Sequence, residues 1–528
     1  MLNIELQNNV HTILKNIFNE NEQILDFIKT KGAKIEYPKE RKFGDYSTPA
    51  AMQLAKILKK NPFEIAGQIK AELEKNDKYE KVDVVKPGFI NIFLSNEVLF
   101  HELKTIQEQK ENYSKPKEQK EKIIFEYVSA NPTGPLHIGH GRWAALGDTL
   151  SRILKWAGYT VFREFYVNDA GVQVKNLNKT VEALKNNEPV PEDGYHGEYV
   201  KEVLDYGGEP IDFFLEQQKQ TLSEFRVEFD NYFSEKKELH DKNNVKKVIE
   251  DLKSKGLTYE QEDALWFKST EYGDDKDRVL IKSDGNYTYF SPDIAYHKTK
   301  INRGYNKIIN FFGADHHGYI KRIKAAVNAL SEKKVKFDVI IGQLVSLFRE
   351  GEPVRLSKRT GTMITLSEVI KEIGTDATRY FLTAIKADTP LDFDLALAQK
   401  KSSDNPVFYI QYAFARMNSI VKKAQEKNVE ITFKFEPVEF QDAERDLIVK
   451  ILKYPEEILD AAKQLEPHRV TNYLLDIATL FHKFYESCKV IDENDLNTTQ
   501  MRMFIVFSVR QALETLLGLL GINAPERM

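Results

Sequence analysis

Short apolar runs that alternate with helical stretches constrain this chain more than any other feature. Ile123-Ile-Phe-Glu-Tyr-Val is one such run, closed by a proline- and glycine-rich turn and followed by a helical pattern from about Ile138 to Trp156. Thr160 to Val167 reads as a second strand. Lys307-Ile-Ile-Asn-Phe-Phe-Gly and Phe337-Asp-Val-Ile-Ile-Gly are two more, flanking a helical stretch near Tyr319 to Leu330. Apolar strands separated by helices predict an α/β, doubly wound, Rossmann-like parallel sheet. Ligands of such sheets bind at the carboxyl ends of the strands.

The 528 residues are enough for three or four domains at about 150 residues each. Residues 1–110 read as an α+β unit. Val10, Leu14 and Ile17 are spaced for a helix, and Met52 to Leu73 is helical in pattern with a break at Asn61-Pro62. Val82-Asp-Val-Val and Gly88-Phe-Ile-Asn-Ile-Phe-Leu read as strands. The charged, proline-marked stretch 111–121 reads as a linker. The doubly wound domain is then expected over 122–400, with a less regular insertion over about 185–285. From 401 to 528 the chain reads as an all-α bundle. Leu474, Ile477, Phe481, Phe484 and Cys488 step by three and four, as do Val506, Val509, Leu513, Leu516 and Leu520.

Composition narrows the function classes. A formal net charge of −4 argues against a generally basic nucleic-acid coat, though not against a local basic track. The single cysteine, Cys488, excludes an intramolecular disulfide framework and a multi-cysteine zinc site. No apolar run of about 18 residues is evident, so no membrane span is expected. The N-terminal segment carries acids and lacks the basic and apolar parts of a signal peptide.

Two motifs carry chemistry. Asn131-Pro-Thr-Gly-Pro-Leu-His137-Ile-Gly-His140 lies between strand and helix, where glycine permits close backbone approach and unpaired helix N–H groups suit phosphate. Read blandly, its histidines are a helix cap and a surface residue. Arg355-Leu-Ser-Lys358-Arg-Thr-Gly361 is short and cationic, and a solvated charge run is its bland reading. Glu126 sits inside an apolar strand, where an unpaired charge is costly, so a cationic partner is expected.

Together the two motifs resemble the H-x-G-H turn and K-M-S-K-S loop of class I aminoacyl-tRNA synthetases. In the loop Arg355, Leu356 and Arg359 replace the first lysine, the methionine and the last serine, while Ser357 and Lys358 are kept. Longer blocks resemble the bacterial-type arginyl-tRNA synthetases more closely. They include Glu126-Tyr-Val-Ser-Ala-Asn131 running on to Arg142, Tyr289-Phe-Ser-Pro-Asp293-Ile-Ala-Tyr and Gly313-Ala-Asp-His-His-Gly318. Asn405-Pro-Val-Phe-Tyr-Ile-Gln-Tyr-Ala, Glu466-Pro-His-Arg, Phe43-Gly-Asp-Tyr and Gly88-Phe-Ile-Asn extend the match over the chain.

The resemblance implies a ligase that activates arginine with ATP and transfers it to the terminal adenosine of its tRNA. It implies ATP with Mg²⁺, no metal held by the protein itself, no membrane, a monomer and a cytoplasmic location. His137, His140 and Lys358 are the implied catalytic residues. Pro135, Gly139, Asp315 and Ser357 join them around ATP. Glu126, Asn131, Tyr289, Asp293 and His316 are implied at arginine, with His317 beside them. Phe89, Asn91, Tyr409 and Tyr473 are implied at tRNA, with Tyr412 and Phe414 as further candidates. The plain alternatives are a helix-cap role for Asp293, a metal site at Asp315-His316-His317, and strand or core packing for the tRNA set. A small adenylyltransferase and a non-catalytic RNA-binding relative are the competing functions. The long helical region argues against the first, and retention of His137, His140 and Lys358 against the second.

Overall fold

The computed structural model describes residues 1–18, 21–38, 40–354, 364–436 and 438–528, with the backbone alone for 315–317. Five parallel strands form the central sheet in the spatial order Lys336–Gly342, Lys307–Gly313, Lys122–Glu126, Thr160–Val167, Asn231–Ser234. Numbered along the chain this is 5-4-1-2-3. The winding therefore reverses between Lys122–Glu126 and Lys307–Gly313, the point where a doubly wound sheet opens its ligand crevice.

The strand Asn231–Ser234 corrects one expectation. It lies inside the stretch 185–285 that reads as an insertion, yet it is an edge strand of the main sheet. Four residues with polar ends carry too little apolar signal to reveal it. Around it stand the helices Pro210–Glu224 and Asn244–Ser254 and a three-stranded antiparallel meander over Thr258–Gln261, Ala264–Phe267 and Arg278–Ile281.

The helix Ile138–Trp156 follows the first strand and is buried along most of its length. A Cβ at Gly147 would lie 2.3 Å from Tyr127 Cδ2, so glycine is what lets this helix pack on the chain leaving the strand. Fully buried Arg142 donates to the carbonyls of Gln343 (3.1 Å), Lys386 (3.0 Å) and Thr389 (2.8 Å). Six residues later buried Asp148 accepts from Arg379 at 2.6 Å, and Arg379 also donates to the carbonyls of Phe225 and Leu520. One helix thus ties the crevice to the C-terminal helical region.

That region comprises the helices Pro406–Glu426, Asp442–Leu452, Tyr454–Gln464, His468–Ser487 and Leu496–Leu520. Both apolar stripes read from the sequence are buried, Cys488 among them. Leu496–Leu520 departs from the expectation about membranes, being long and apolar enough by length and composition to cross one. Its most apolar window is 67% buried within the protein, so its apolar surface serves the bundle core.

The N-terminal unit has a three-stranded antiparallel sheet, Tyr46–Thr48, Phe89–Leu94, Tyr79–Val85, with helices packed on it. Asn61 caps the helix Pro62–Leu73 through Phe63 N (2.9 Å), where the sequence pattern breaks. This unit packs on the helical region through Arg445, which donates to Asp45 (2.8 Å) and to the Leu94 carbonyl (2.7 Å). Tyr113, within the stretch read as a linker, is only 1% exposed and its ring lies 5.7 Å from that of Tyr454. The stretch has an apolar anchor that its composition does not announce.

Candidate functional site

At the reversal of the sheet the chain leaves strand Lys122–Glu126 in a tight path. Val128 and Ser129 both adopt positive φ (68° and 43°), and a β-branched residue there is strained. Ser129 compensates by donating to Glu126 Oε1 (3.1 Å) and accepting from Tyr166 N (3.1 Å), which holds the turn over two strands. The following turn is braced by Gln218, which donates to the carbonyls of Asn131 (3.0 Å) and Gly134 (2.8 Å). Asn131 itself donates to Gln173 at 2.7 Å.

His137 caps the helix and His140 closes the cap. His140 N donates to His137 Nδ1 (3.3 Å), His137 N donates to His140 Nδ1 (3.4 Å), and the rings stack 3.6 Å apart. A Cβ on Gly139 would lie 2.9 Å from His137 Cε1, so glycine leaves room for that folded-back ring. Both histidines are half-buried at the helix N-terminus, where the dipole and open N–H groups favour an anion. Pro135 is half-buried in the same turn.

The cationic motif Arg355–Gly361, with Ser357 and Lys358, lies outside the described residues. The chain after it is fixed to the turn: Thr365 forms a β-bridge with His137, and Leu366 N donates to the Leu136 carbonyl at 2.8 Å. Asp315, His316 and His317 follow strand Lys307–Gly313 in a helical turn, Ala314–Tyr319, at the same edge of the sheet.

On the other side of the crevice, the helix Phe290–Asn302 lies over the sheet. Asp293 is in its first turn, half-buried, and accepts from the Tyr319 hydroxyl. Burial pushes its carboxyl up to about 7, with Glu126 and Glu235 adding to the rise and the Tyr319 hydrogen bond and Lys300 opposing it. Glu126 has the cationic partner its strand position demands: Lys300, itself fully buried, donates to Glu126 Oε2 at 2.7 Å. Lys300 also donates to Asn310 Oδ1 (3.0 Å), and Asn310 faces His297 Nε2 (3.0 Å). Burial and the Lys300 charge lower His297 to about 3, so it is neutral and gives its Nδ1 proton to the Asp293 carbonyl at 2.8 Å.

Next along the sheet, fully buried Glu164 accepts from Arg303 (2.6 and 2.8 Å), Tyr296 (2.9 Å) and Asn231 (2.8 Å). Burial opposes its charge, but Arg303, Lys300 and Asn231 outweigh this and hold the carboxyl below its ordinary value. Lys300, His297, Asn310, Glu164, Arg303, Gln218 and Tyr319 escaped the sequence reading. The spacing Asp293, His297, Lys300 along one helix face was the signal available.

Other placements differ from expectation. Tyr289 is 88% exposed, because it precedes the helix Phe290–Asn302 and packs against little; it does not line the pocket in this structure. Asn91 is buried, its side chain accepting from Ser47 Oγ at 3.0 Å, and so it is a strand-packing residue. Tyr473 is likewise buried, donating to the Lys450 carbonyl with the Lys450 ammonium 4.0 Å from its ring centre, and Phe414 is buried too. None of these three offers a face to a nucleotide. Phe89 is half-buried, and Tyr409 is half-buried against His482 (ring centres 4.3 Å apart). Tyr412 and Tyr485 are exposed, each 4.6 Å from the Arg416 guanidinium. A cavity of about 1240 Å³ runs beside strand Asn231–Ser234 and is lined by none of the expected site residues.

Comparison with known proteins matches this geometry with three family descriptions. Residues 5–94 match the arginyl tRNA synthetase N terminal domain. Residues 102–207 and 208–386 match the class I (R) tRNA synthetase catalytic domain, and 410–528 the DALR anticodon binding domain. The arginine--tRNA ligase 1 of Halalkalibacterium halodurans is 45% identical over 524 residues, 94% of each chain. The arginine--tRNA ligase of Bacillus subtilis is 44% identical over 523 residues, again 94% of each. The arginyl-tRNA synthetase structure from Thermus thermophilus superposes with a TM-score of 0.79 at 22% identity, covering all of both chains, a likeness of fold.

Proposed function

The chain belongs to the arginyl-tRNA synthetase family, and on that premise we propose which of its groups do the work. It is a ligase that activates arginine with ATP and charges tRNA. The arginine carboxylate attacks the α-phosphorus, giving arginyl-adenylate and pyrophosphate. A hydroxyl of the terminal adenosine, the 2′ one in class I members, then takes the arginyl group and AMP leaves. The attacking carboxylate is already an anion, so no protein nucleophile is needed. Catalysis is alignment and stabilisation of phosphate charge.

In this reading His137, His140 and Lys358 stabilise the phosphates, with Pro135, Gly139, Asp315 and Ser357 around the nucleotide. Mg²⁺ enters as the counter-ion of ATP. Asp293 and Glu126 accept the guanidinium, for which paired carboxylates are the natural match. Asn131 and His316 hold the amino-acid end. Tyr289 reaches arginine only if the turn before its helix moves inward. On tRNA the reading keeps Phe89, Tyr409 and the exposed Tyr412 and adds Arg416 and the exposed Tyr485, which offer stacking faces. The domain limits 1–110, 111–121, 122–400 and 401–528 belong to the same reading, as does a cytoplasmic monomer that works away from membranes.

One observation carries the assignment: at the switch point, where a histidine-capped helix begins, the Glu126 carboxylate is near enough to Asp293 to help raise its carboxyl. Pyrophosphate exchange with each amino acid, with and without tRNA, tests it. Exchange is expected with arginine alone among them. Exchange with lysine or citrulline at a comparable rate would sink it.

A further inference from the structure

Asn310, Glu126, Glu164 and Asn231 stand at one level on four neighbouring parallel strands. Register partners in a parallel sheet project to the same face, so the four form a polar row on a face where the preceding level is Ile308, Ile124 and Phe162. The helix Phe290–Asn302 covers this row. His297 meets Asn310, Lys300 meets Glu126 and Asn310, and Tyr296 with Arg303 meets Glu164. The first turn of the same helix carries Asp293, whose backbone carbonyl receives the His297 proton.

A largely buried row of this kind is costly to build for stability alone, since desolvating an ion pair offsets much of its attraction. What it supplies is geometry. The helix can neither slide nor rotate without breaking the contacts of His297, Lys300 and Arg303 together. A guanidinium presents its donors in a rigid fork and therefore demands fixed acceptors.

We propose that Lys300 is a positioning residue for arginine recognition: its buried ammonium fixes where the Glu126 carboxylate stands relative to the helix that carries Asp293. The proposal rests on the reading of Glu126 and Asp293 as guanidinium acceptors. Lys300 has no access to solvent and is bonded to Glu126, so it acts through that carboxylate. Its third neighbour is the Tyr296 ring, whose centre lies 4.1 Å from the ammonium.

The test measures tRNA-supported pyrophosphate exchange on the full chain for Glu126→Gln, Lys300→Met and the double variant. Lys300→Met is expected to raise the arginine KM by about 100-fold, the scale of orphaning one member of a buried pair, with the ATP KM within about threefold. The double variant is expected to match Glu126→Gln alone within about threefold, because the two act as one unit. If Lys300→Met fails to fold, the double variant, which removes both charges, carries this comparison. A further tenfold rise in the double variant over Glu126→Gln overturns the proposal. So does an arginine KM unchanged in Lys300→Met, or the KM of both substrates rising together. An arginine KM unchanged in Glu126→Gln overturns the acceptor reading itself, whereas a rise there without one in Lys300→Met overturns the positioning role alone.

Discussion

At the carboxyl edge of the sheet, the floor beneath helix Phe290–Asn302 and the N-terminus of helix Ile138–Trp156 hold their polar groups in different ways. Beneath the first helix Glu126 and Glu164 each have a cation and at least one further hydrogen bond, and Lys300 is sealed from solvent. At the second, half-buried histidines cap each other's backbone, and the chain that follows the cationic motif is joined to their turn through Thr365 and Leu366. The difference follows from the ligands. In the proposed reading the first is the arginine side, and the rigid fork of a guanidinium needs acceptors of fixed spacing. The second is then the ATP side, where a helix N-terminus and the histidines that cap it are aimed at phosphate charge.

The widest separation of the two sides is expected from Lys358→Ala. Adenylate formation should slow by roughly 10²-fold or more, the scale of losing one transition-state donor. Arginine binding should stay within about threefold. Single-turnover activation with calorimetry on the same variant checks both halves. Parallel losses would mean the two sides are not independent.

Acidity sharpens the comparison next. The Asp293 carboxyl rises from an ordinary 3.8 to about 7, while His297 is held neutral down to about 3. Below about pH 7 Asp293 carries a proton and accepts the guanidinium poorly. The arginine KM should therefore fall about tenfold per pH unit on approaching neutrality and level off above it. The sign for stability is the opposite: the folded state binds the extra proton, so this group's contribution declines as pH rises from 3.8 to about 7. Steady-state kinetics from pH 5.5 to 8 on the wild type and on Asp293→Asn give the readout. A slope that survives in the variant assigns the titration elsewhere.

The smallest of these effects falls on the ATP side. Gly139→Ala would place a methyl 2.9 Å from His137 Cε1 and push that ring aside. Activation should drop by about tenfold, a modest case of misplacing an aligned group, while arginine affinity is unchanged. Comparable arginine and ATP defects would show that the turn and the arginine floor move as one body.

How far these two sides could be read from sequence also differs. The signature helix Ile138–Trp156 and its histidines stand out because strand, turn and helix are consecutive and each obeys its own period. Glu126 announces its need for a cation by sitting in an apolar run. Which cation answers is a matter of register between strands and of a helix 174 residues away, and neither is written locally. The edge strand Asn231–Ser234 is too short to show a period, and Asn91 and Tyr473 look like nucleotide contacts by type until burial is known. Tyr289 errs the other way, an aromatic in a site motif that this structure leaves in solvent.

The central claim is that a buried, negatively charged acceptor selects the guanidinium, and calorimetry with arginine and its nearly isosteric neutral analogue citrulline tests it most directly. On the wild type at neutral pH, arginine should bind and citrulline should be rejected. On Asp293→Asn, arginine should weaken by roughly 10²-fold or more, the equivalent of about 3–5 kcal/mol for breaking a buried pair, and the preference over citrulline should shrink with it. Arginine affinities that agree within about threefold between the two proteins would contradict the account, leaving Asp293 a helix-terminal residue and the guanidinium pocket elsewhere.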